Sequence, residues 1–248
     1  MRERDAAIIA VTDDVDLPAV EAEDLLRGRP LLVLAPHPDD ESLGCGALLA
    51  RAFAGPGAHV ACLTDGAGSH PGSRAVPPAR LAEIRRAELD DALGHLGGTA
   101  ADATMIGAPD GGLRANPELA DRIAALARDM GAGLLLAPSA LDPHCDHVAG
   151  AALGRAVARS QPLRLAFYPV WSRWHGQGRA PLPPGTRAVR LPAGPCLAAK
   201  QAAIAAHRSQ MGLVVPDAPD GFEMPLGFAA FFAVRDEVYF LSDEGAPW

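Results

Sequence analysis

Two short stretches carry most of the chemistry in this chain. The first, Ala35-Pro36-His37-Pro38-Asp39-Asp40-Glu41-Ser42, sets one imidazole and three consecutive carboxyls directly after the apolar run Leu31-Leu32-Val33-Leu34. The second, Asp142-Pro143-His144-Cys145-Asp146-His147, packs two histidines and two acids into six residues. An ordinary turn is satisfied by one Asp and a Gly, so three adjacent acids exceed what the backbone needs. One His and one Asp from the first stretch, joined by one His from the second, make a two-His, one-carboxylate set with open positions. That set suits catalytic zinc and also non-haem Fe(II). Taken singly, each stretch has a plainer explanation. Asp39, Asp40 and Glu41 can be first-turn acids favoured by a helix dipole, and His144 and His147 can be surface loop residues. Only convergence on one edge of a sheet would make them a site.

The hydrophobic pattern predicts that convergence. Residues 31–35 read as a strand buried on both faces, followed by a helix over 42–53. Strands at 59–64, 103–106, 134–137 and 165–170 alternate with helices at 78–96, from Asn116-Pro117 onward, and at 147–159. Such alternation predicts an α/β fold with a mostly parallel sheet and helices on both faces, whose ligands sit beyond the carboxyl ends of the strands. Both acidic stretches fall there, as do the loops at 65–78 and 109–113. Neither Gly44-Cys45-Gly46 nor Gly66-Ala67-Gly68 completes G-x-G-x-x-G, because Leu49 and Pro71 stand at the last position. A nicotinamide or flavin role is therefore not expected. Beyond a Pro- and Gly-rich stretch at 171–184, a strand near 188–191 and a helix over 197–209 are predicted. Residues 212–227 read as irregular and 228–241 as two short strands. Residues 1–29 read as an N-terminal extension with one short helix near 17–26.

Charge and composition exclude some classes. A net charge of −8 argues against a nucleic-acid partner, which calls for a basic surplus. No apolar run is long enough to span a bilayer, so no membrane partner is expected, and no signal peptide is convincing. Cys45, Cys62, Cys145 and Cys196 are scattered without a C-x-x-C pair and read as reduced thiols of a cytoplasmic protein. Oligomeric state is open, a homo-oligomer included.

His37-Pro38-Asp39-Asp40-Glu41 together with His144-Cys145-Asp146-His147 resembles the LmbE-like, or PIG-L, family of zinc-dependent N-acetylglucosaminyl deacetylases. Leu63-Thr64-Asp65-Gly66, Arg85-Arg86-Ala87-Glu88-Leu89, Asp110-Gly111 and His207-Arg208-Ser209-Gln210 fit the same family in the same order. The likeness covers about residues 30–212 of a single domain spanning 1–248, leaving 1–29 as an extension and 213–248 as a tail. It implies a Rossmann-like three-layer sandwich and one Zn2+ per chain, with Fe2+ the alternative ion. His37, Asp40 and His147 become metal ligands, Asp39 the general base, and a protonated His144 the stabiliser of the oxyanion, with Asp146 orienting that imidazole. Glu41 is expected to orient a ligand or hold the turn. Arg85 and Asp110 match positions that hold sugar hydroxyls in relatives. His70 and Arg74 sit on a loop that can cover the mouth and are candidate substrate contacts, as are Trp171, Trp174 and His175.

The sequence departs from the family pattern twice. Cys145 replaces the usual proline of the second motif, and Gly66-Ala67-Gly68 lacks an acid often found after the second strand. The function implied is removal of an N-acetyl, or other N-acyl, group from an amino sugar or glycoconjugate, with release of acetate and a free amine. The close alternative is an amidase of the same fold acting on a thiol conjugate or an acylated secondary metabolite. An iron oxygenase is less apt, because it has no need of the second aspartate as a base. A non-enzymatic sugar-binding module is the remaining rival, excluded by acetate release.

Overall fold

In a computed structural model, residues 16–175, 182 and 185–242 are described. The first half of the N-terminal extension, most of the Pro- and Gly-rich stretch and the last residues of the tail lie outside them. The chain runs α1 (Ala22–Leu26), β1 (Leu31–Ala35), α2 (Asp40–Phe53), β2 (Ala58–Thr64), α3 (Pro78–His95) and β3 (Ala103–Ala108). It continues through α4 (Pro117–Asp129), β4 (Leu134–Pro138), α5 (Cys145–Ser160), β5 (Arg164–Tyr168) and α6 (Trp171–Trp174). The last described elements are β6 (Thr186–Leu191), α7 (Leu197–Ala206), α8 (Phe228–Ala233) and β7 (Glu237–Ser242).

The seven strands form one sheet in the order β3-β2-β1-β4-β5-β7-β6. The first five are mutually parallel, whereas β7 runs antiparallel to both β5 and β6. Along β1, Leu31, Val33 and Ala35 join a core beneath α2, α3, α7 and α8, while Leu32 and Leu34 join a second core beneath α4 and α5. A strand with two buried faces must be apolar throughout, and all five residues of β1 are buried. The predicted three-layer α/β architecture is the one observed.

Helix ends follow local chemistry. The Asn116 side chain accepts from Leu119 N–H at 3.0 Å and Pro117 occupies the first position of α4. In α2, Gly44 lies so close to the Tyr168 ring that a Cβ there would collide with it. That glycine serves close packing of helix on sheet, in keeping with the rejected dinucleotide motif.

Three expectations need correction. Residues 228–241 form a helix and then a strand, not two strands. Phe228 and Phe232, four apart, bury on one side of α8, and Phe231 lies under the Arg173 and Arg235 guanidiniums. Helical spacing thus overrides the β-preference of the aromatic residues. Among the described residues at the N-terminal side the α-helix spans Ala22–Leu26, while Ala19 forms a bridge to Arg190. The segment after 212 is no appendage either, since β7 fills the sheet between β5 and β6.

Candidate active site

The strand order reverses at β1, which has β2 on one side and β4 on the other. This is the switch point where doubly wound sheets open a crevice. The acidic stretch leaves the end of β1 and the histidine stretch leaves the end of β4, so adjacent strands deliver both to that crevice. Asp40 opens α2, where the dipole favours its charge. In α5, His144 is the N-cap, its Nδ1 accepting the Asp146 N–H at 3.2 Å, and His147 follows in the first turn.

His37, His144 and His147 draw together, with a nitrogen from each within 4.8 Å of the others. Asp40 stands between two of them. Its Oδ2 lies 3.2 Å from His37 Nδ1 and its Oδ1 3.4 Å from His147 Nε2. Each of these histidines is held from behind by carboxylates. His37 Nε2 lies 3.2 Å from both Asp110 Oδ1 and Asp146 Oδ2. His147 Nδ1 meets Asp142 Oδ2 at 2.8 Å. A ring whose rear N–H is given to a carboxylate turns an unprotonated nitrogen forward, which is how metal-binding histidines are fixed.

A test of metal fit comes from His147 Nε2, which is buried and has no hydrogen-bond partner. An orphaned nitrogen of this kind is costly unless something else occupies its lone pair. The three imidazoles of His37, His144 and His147, with the Asp40 carboxylate between the first and the last, are donors suited to a divalent ion.

The carboxylates around these two imidazoles favour positive charge at this spot. Burial opposes charge on His147, yet the Asp40 charge and the hydrogen bond to Asp142 push its imidazole up to about 9. Burial likewise opposes charge on His37, and Asp110, Asp146 and Asp40 lift it well above its ordinary value. Asp40 moves the other way: despite burial, the two histidines hold it far below the usual carboxylate range. Burial raises the neighbouring Asp39, an effect that Arg85 partly offsets and Asp40 reinforces. A carboxyl raised in this way suits proton abstraction better than an ordinary aspartate.

Several assigned residues do something other than expected. Asp146 does not orient His144 through its side chain; its carboxylate accepts from Gly111 N–H at 2.8 Å and Leu113 N–H at 3.0 Å and is held down to about 2. Burial and the charges on His37 and His147 lower His144 below its usual value. With Nδ1 accepting, its proton sits on Nε2, which makes it a neutral donor.

Arg85 is 2% exposed, and its guanidinium is bound to Gly66 O, Pro38 O and, at 3.3 Å, Asp39 Oδ2. It touches the cavity but is engaged mainly in holding Asp39. Gly66, at φ +67, leaves room for that guanidinium where a Cβ would collide with it. Asp110 accepts from Gly68 N–H at 2.8 Å while also facing His37.

His70 and Arg74 are not brought to the site. The His70 ring is buried, bonded to Ser69 Oγ and packed against Gly221, away from the cavity. The Arg74 N–H is tied to Asp217 together with Ser73 and Ala75. His207 and Glu41 form a buried pair at 2.9 Å, with Ser42 completing it. Trp171 lines the cavity, whereas Trp174 packs on Phe228 and Phe231. Cys145 is exposed, its thiol 3.6 Å from Gly111 O and from Asp146 Oδ1.

Sequence reasoning missed Asp142. It is 1% exposed and accepts four bonds: from His147, from Val170 N–H, and from Ser172 N–H and Oγ. Its position five residues before a candidate ligand was the available signal.

The site opens into a cavity of about 260 Å³ whose walls include His37, Asp39, Asp40, Arg85, Asp110 and His144. Fold and site together define a doubly wound α/β protein with a histidine–carboxylate cluster, suited to a metal ion, at its switch point. Residues 32–158 match the PIG-L family, described as GlcNAc-PI de-N-acetylase, and the chain belongs to that family.

Among curated proteins, 2'-N-acetylparomamine deacetylase of Streptomyces fradiae is 39% identical over 167 residues. That match covers 59% of this chain and 58% of the relative, so the chain spans little more than half of that enzyme. A conserved protein, TT1542, from Thermus thermophilus superimposes with a TM-score of 0.58 at 30% identity, covering 88% of this chain and 95% of that one. A triple mutant of a deacetylase from the teicoplanin biosynthetic pathway gives a TM-score of 0.66 at 21% identity, covering 88% and 100%, and so shares the fold.

Proposed function

We propose that this protein hydrolyses the N-acetyl, or another N-acyl, amide of a small amino sugar or glycoconjugate. One observation carries the reading. Two imidazoles backed by carboxylates turn their forward nitrogens toward Asp40, while Asp39 stands beside them, raised and held by Arg85, at the floor of a cavity. His37, Asp40 and His147 would hold one Zn2+, with Fe2+ the alternative ion. An ion bound there would polarise the amide carbonyl and bring the pKa of a bound water down to about 7.

The chain's own groups do the rest. Asp39 takes the proton of the attacking water as the new C–O bond forms. The neutral Nε2–H of His144 donates to the oxygen on which negative charge develops. Asp39 then returns its proton to the nitrogen as the C–N bond breaks, so that a carboxylic acid and an amine leave. Asp146 acts indirectly, by anchoring residues 111–113 and bracing His37. Asp110 and the edge of Arg85 are the proposed contacts for sugar hydroxyls.

The likeness to 2'-N-acetylparomamine deacetylase supports an amino-sugar substrate. An acylated secondary metabolite or thiol conjugate is the alternative amide, and the paired aspartates favour hydrolysis over oxygenase chemistry. Among the described residues no helix is long and apolar enough to cross a membrane. The four cysteines are free, which supports a reducing, cytoplasmic setting. Metal content and acetate release from a panel of N-acetylated amino sugars test the proposal. Stoichiometric zinc with no hydrolysis of any member would overturn it.

A further inference from the structure

The cavity has two walls of opposite character. Besides carboxylates and histidines, its lining holds a group of apolar side chains, Leu43, Val170, Trp171, Phe222, Met224 and Phe228. Leu43 lies one helical turn past Asp39, so the apolar wall begins about 6 Å along α2 from the candidate base. Phe222 and Met224 belong to the irregular segment after 212, beyond the family match. Phe222 N–H donates to Ser69 O and Met224 N–H to Gln210 O, each at 2.7 Å, which straps the segment to the loop after β2 and to the turn after α7.

Alternation along that strap sends Phe222 and Met224 inward, while Glu223 turns out beside Gly212. Trp171 completes the wall, its ring 4.8 Å from that of Phe228 and 5.9 Å from that of Phe222. Trp171, Phe222 and Met224 stay partly exposed toward the cavity. Polar groups on this side are few and already engaged: Ser69 Oγ bonds His70, and Gln210 Nε2 bonds Ser209 Oγ. A polyol placed here would leave hydroxyls unpaired, each at a cost. An alkyl or aryl group would cover the exposed rings.

We propose that this wall is a subsite for a non-polar substituent on the acylated amine, so that preferred substrates are amphiphilic and not fully hydroxylated. The inference rests on the deacylase reading above. The substituent can reside on the sugar's anomeric oxygen or in a longer acyl chain, and two substrate series separate these sources. One runs from methyl to octyl 2-acetamido-2-deoxyglucosides, the other from N-acetyl- to N-octanoylglucosamine, each below micellar concentration.

In one series kcat/KM is expected to climb by up to about fourfold per buried methylene until the wall is filled. Phe222→Ser and, separately, Met224→Ser should flatten that climb. Binding of octyl 2-amino-2-deoxyglucoside, which has no amide to cleave, gives a readout independent of turnover through tryptophan fluorescence. Hydrolysis of the short members with flat series in both arms overturns the subsite and leaves the deacetylase standing, as does a climb that both variants retain. Chain-length-dependent binding without hydrolysis supports the subsite and defeats the deacetylase. Neither binding nor hydrolysis defeats both.

Discussion

Replacing Asp142 with Asn tests the way the site holds His147. The carboxylate has four lone-pair positions and all four are filled: His147 Nδ1 and Val170 N–H on Oδ2, Ser172 N–H and Oγ on Oδ1. An amide offers one oxygen. With that oxygen toward Ser172, the NH₂ faces the Val170 N–H, donor against donor, and donates to His147 Nδ1. That imidazole must then carry its proton on Nε2, the atom turned toward Asp40 and the metal position. A flipped amide instead sets its NH₂ against the Ser172 N–H, so neither orientation satisfies the site.

One buried donor left unpaired, plus the loss of charge-assisted bonds, amounts to about 2–4 kcal/mol. For a chain of this length that corresponds to roughly 5–15 °C in Tm. Metal affinity should fall by about 10–100-fold, the usual effect of removing a carboxylate behind a ligating imidazole. Competition with a chromophoric chelator measures the affinity, and thermal melts of metal-free protein measure the stability. A folded Asp142→Asn protein with wild-type zinc affinity would refute the claim that Asp142 sets the tautomer of His147.

Asp39→Asn should retain zinc while kcat falls by about 10²–10⁴, and Asp40→Ala should lose both; metal analysis beside kcat decides, and a zinc-free Asp39→Asn would reverse the assignment. Glu237 accepts from Lys200 at 3.1 Å, from the Ala47 and Leu48 N–H groups and from Tyr239 OH, all buried. Glu237→Ala, which strands the Lys200 charge, should cost about 3–5 kcal/mol in denaturant unfolding. Asp217 is held below its ordinary 3.8 by the Ser73 hydroxyl and the Ala75 and Arg74 N–H groups. A carboxyl depressed by folding contributes stability above its unfolded pKa and loses it as pH falls through the folded one. The Tm gap between wild type and Asp217→Asn should therefore be present at neutral pH and close in strong acid.

Much of the site was legible because its parts are local. Each candidate ligand lies within a few residues of a strand end, and an apolar strand buried on both faces is recognisable from composition alone. The apolar run 228–241 reads as two strands although Phe228, Phe231 and Phe232 stand at helical spacing, because a short apolar run fits a buried strand and a buried helix alike. His70 and Arg74 were placed at the mouth because their loop starts from the correct strand. The loop instead tucks under 217–222, a contact between segments about 145 residues apart that no local pattern encodes.

By itself the sequence determined the alternation of strands and helices, the two acidic and histidine-rich turns, and the residue types able to take a metal and a proton. These follow from side-chain period and backbone stereochemistry, which act over a few residues. Tertiary structure alone decided which carboxylate serves which imidazole. Asp142 went behind His147, Asp146 and Asp110 behind His37, and Arg85 to Asp39. It also decided that Phe222 and Met224, from the last part of the chain, line the cavity. Those choices depend on distances across the switch point of the sheet, and folding alone brings β1, β4 and the segment after 212 within a few ångströms of one another.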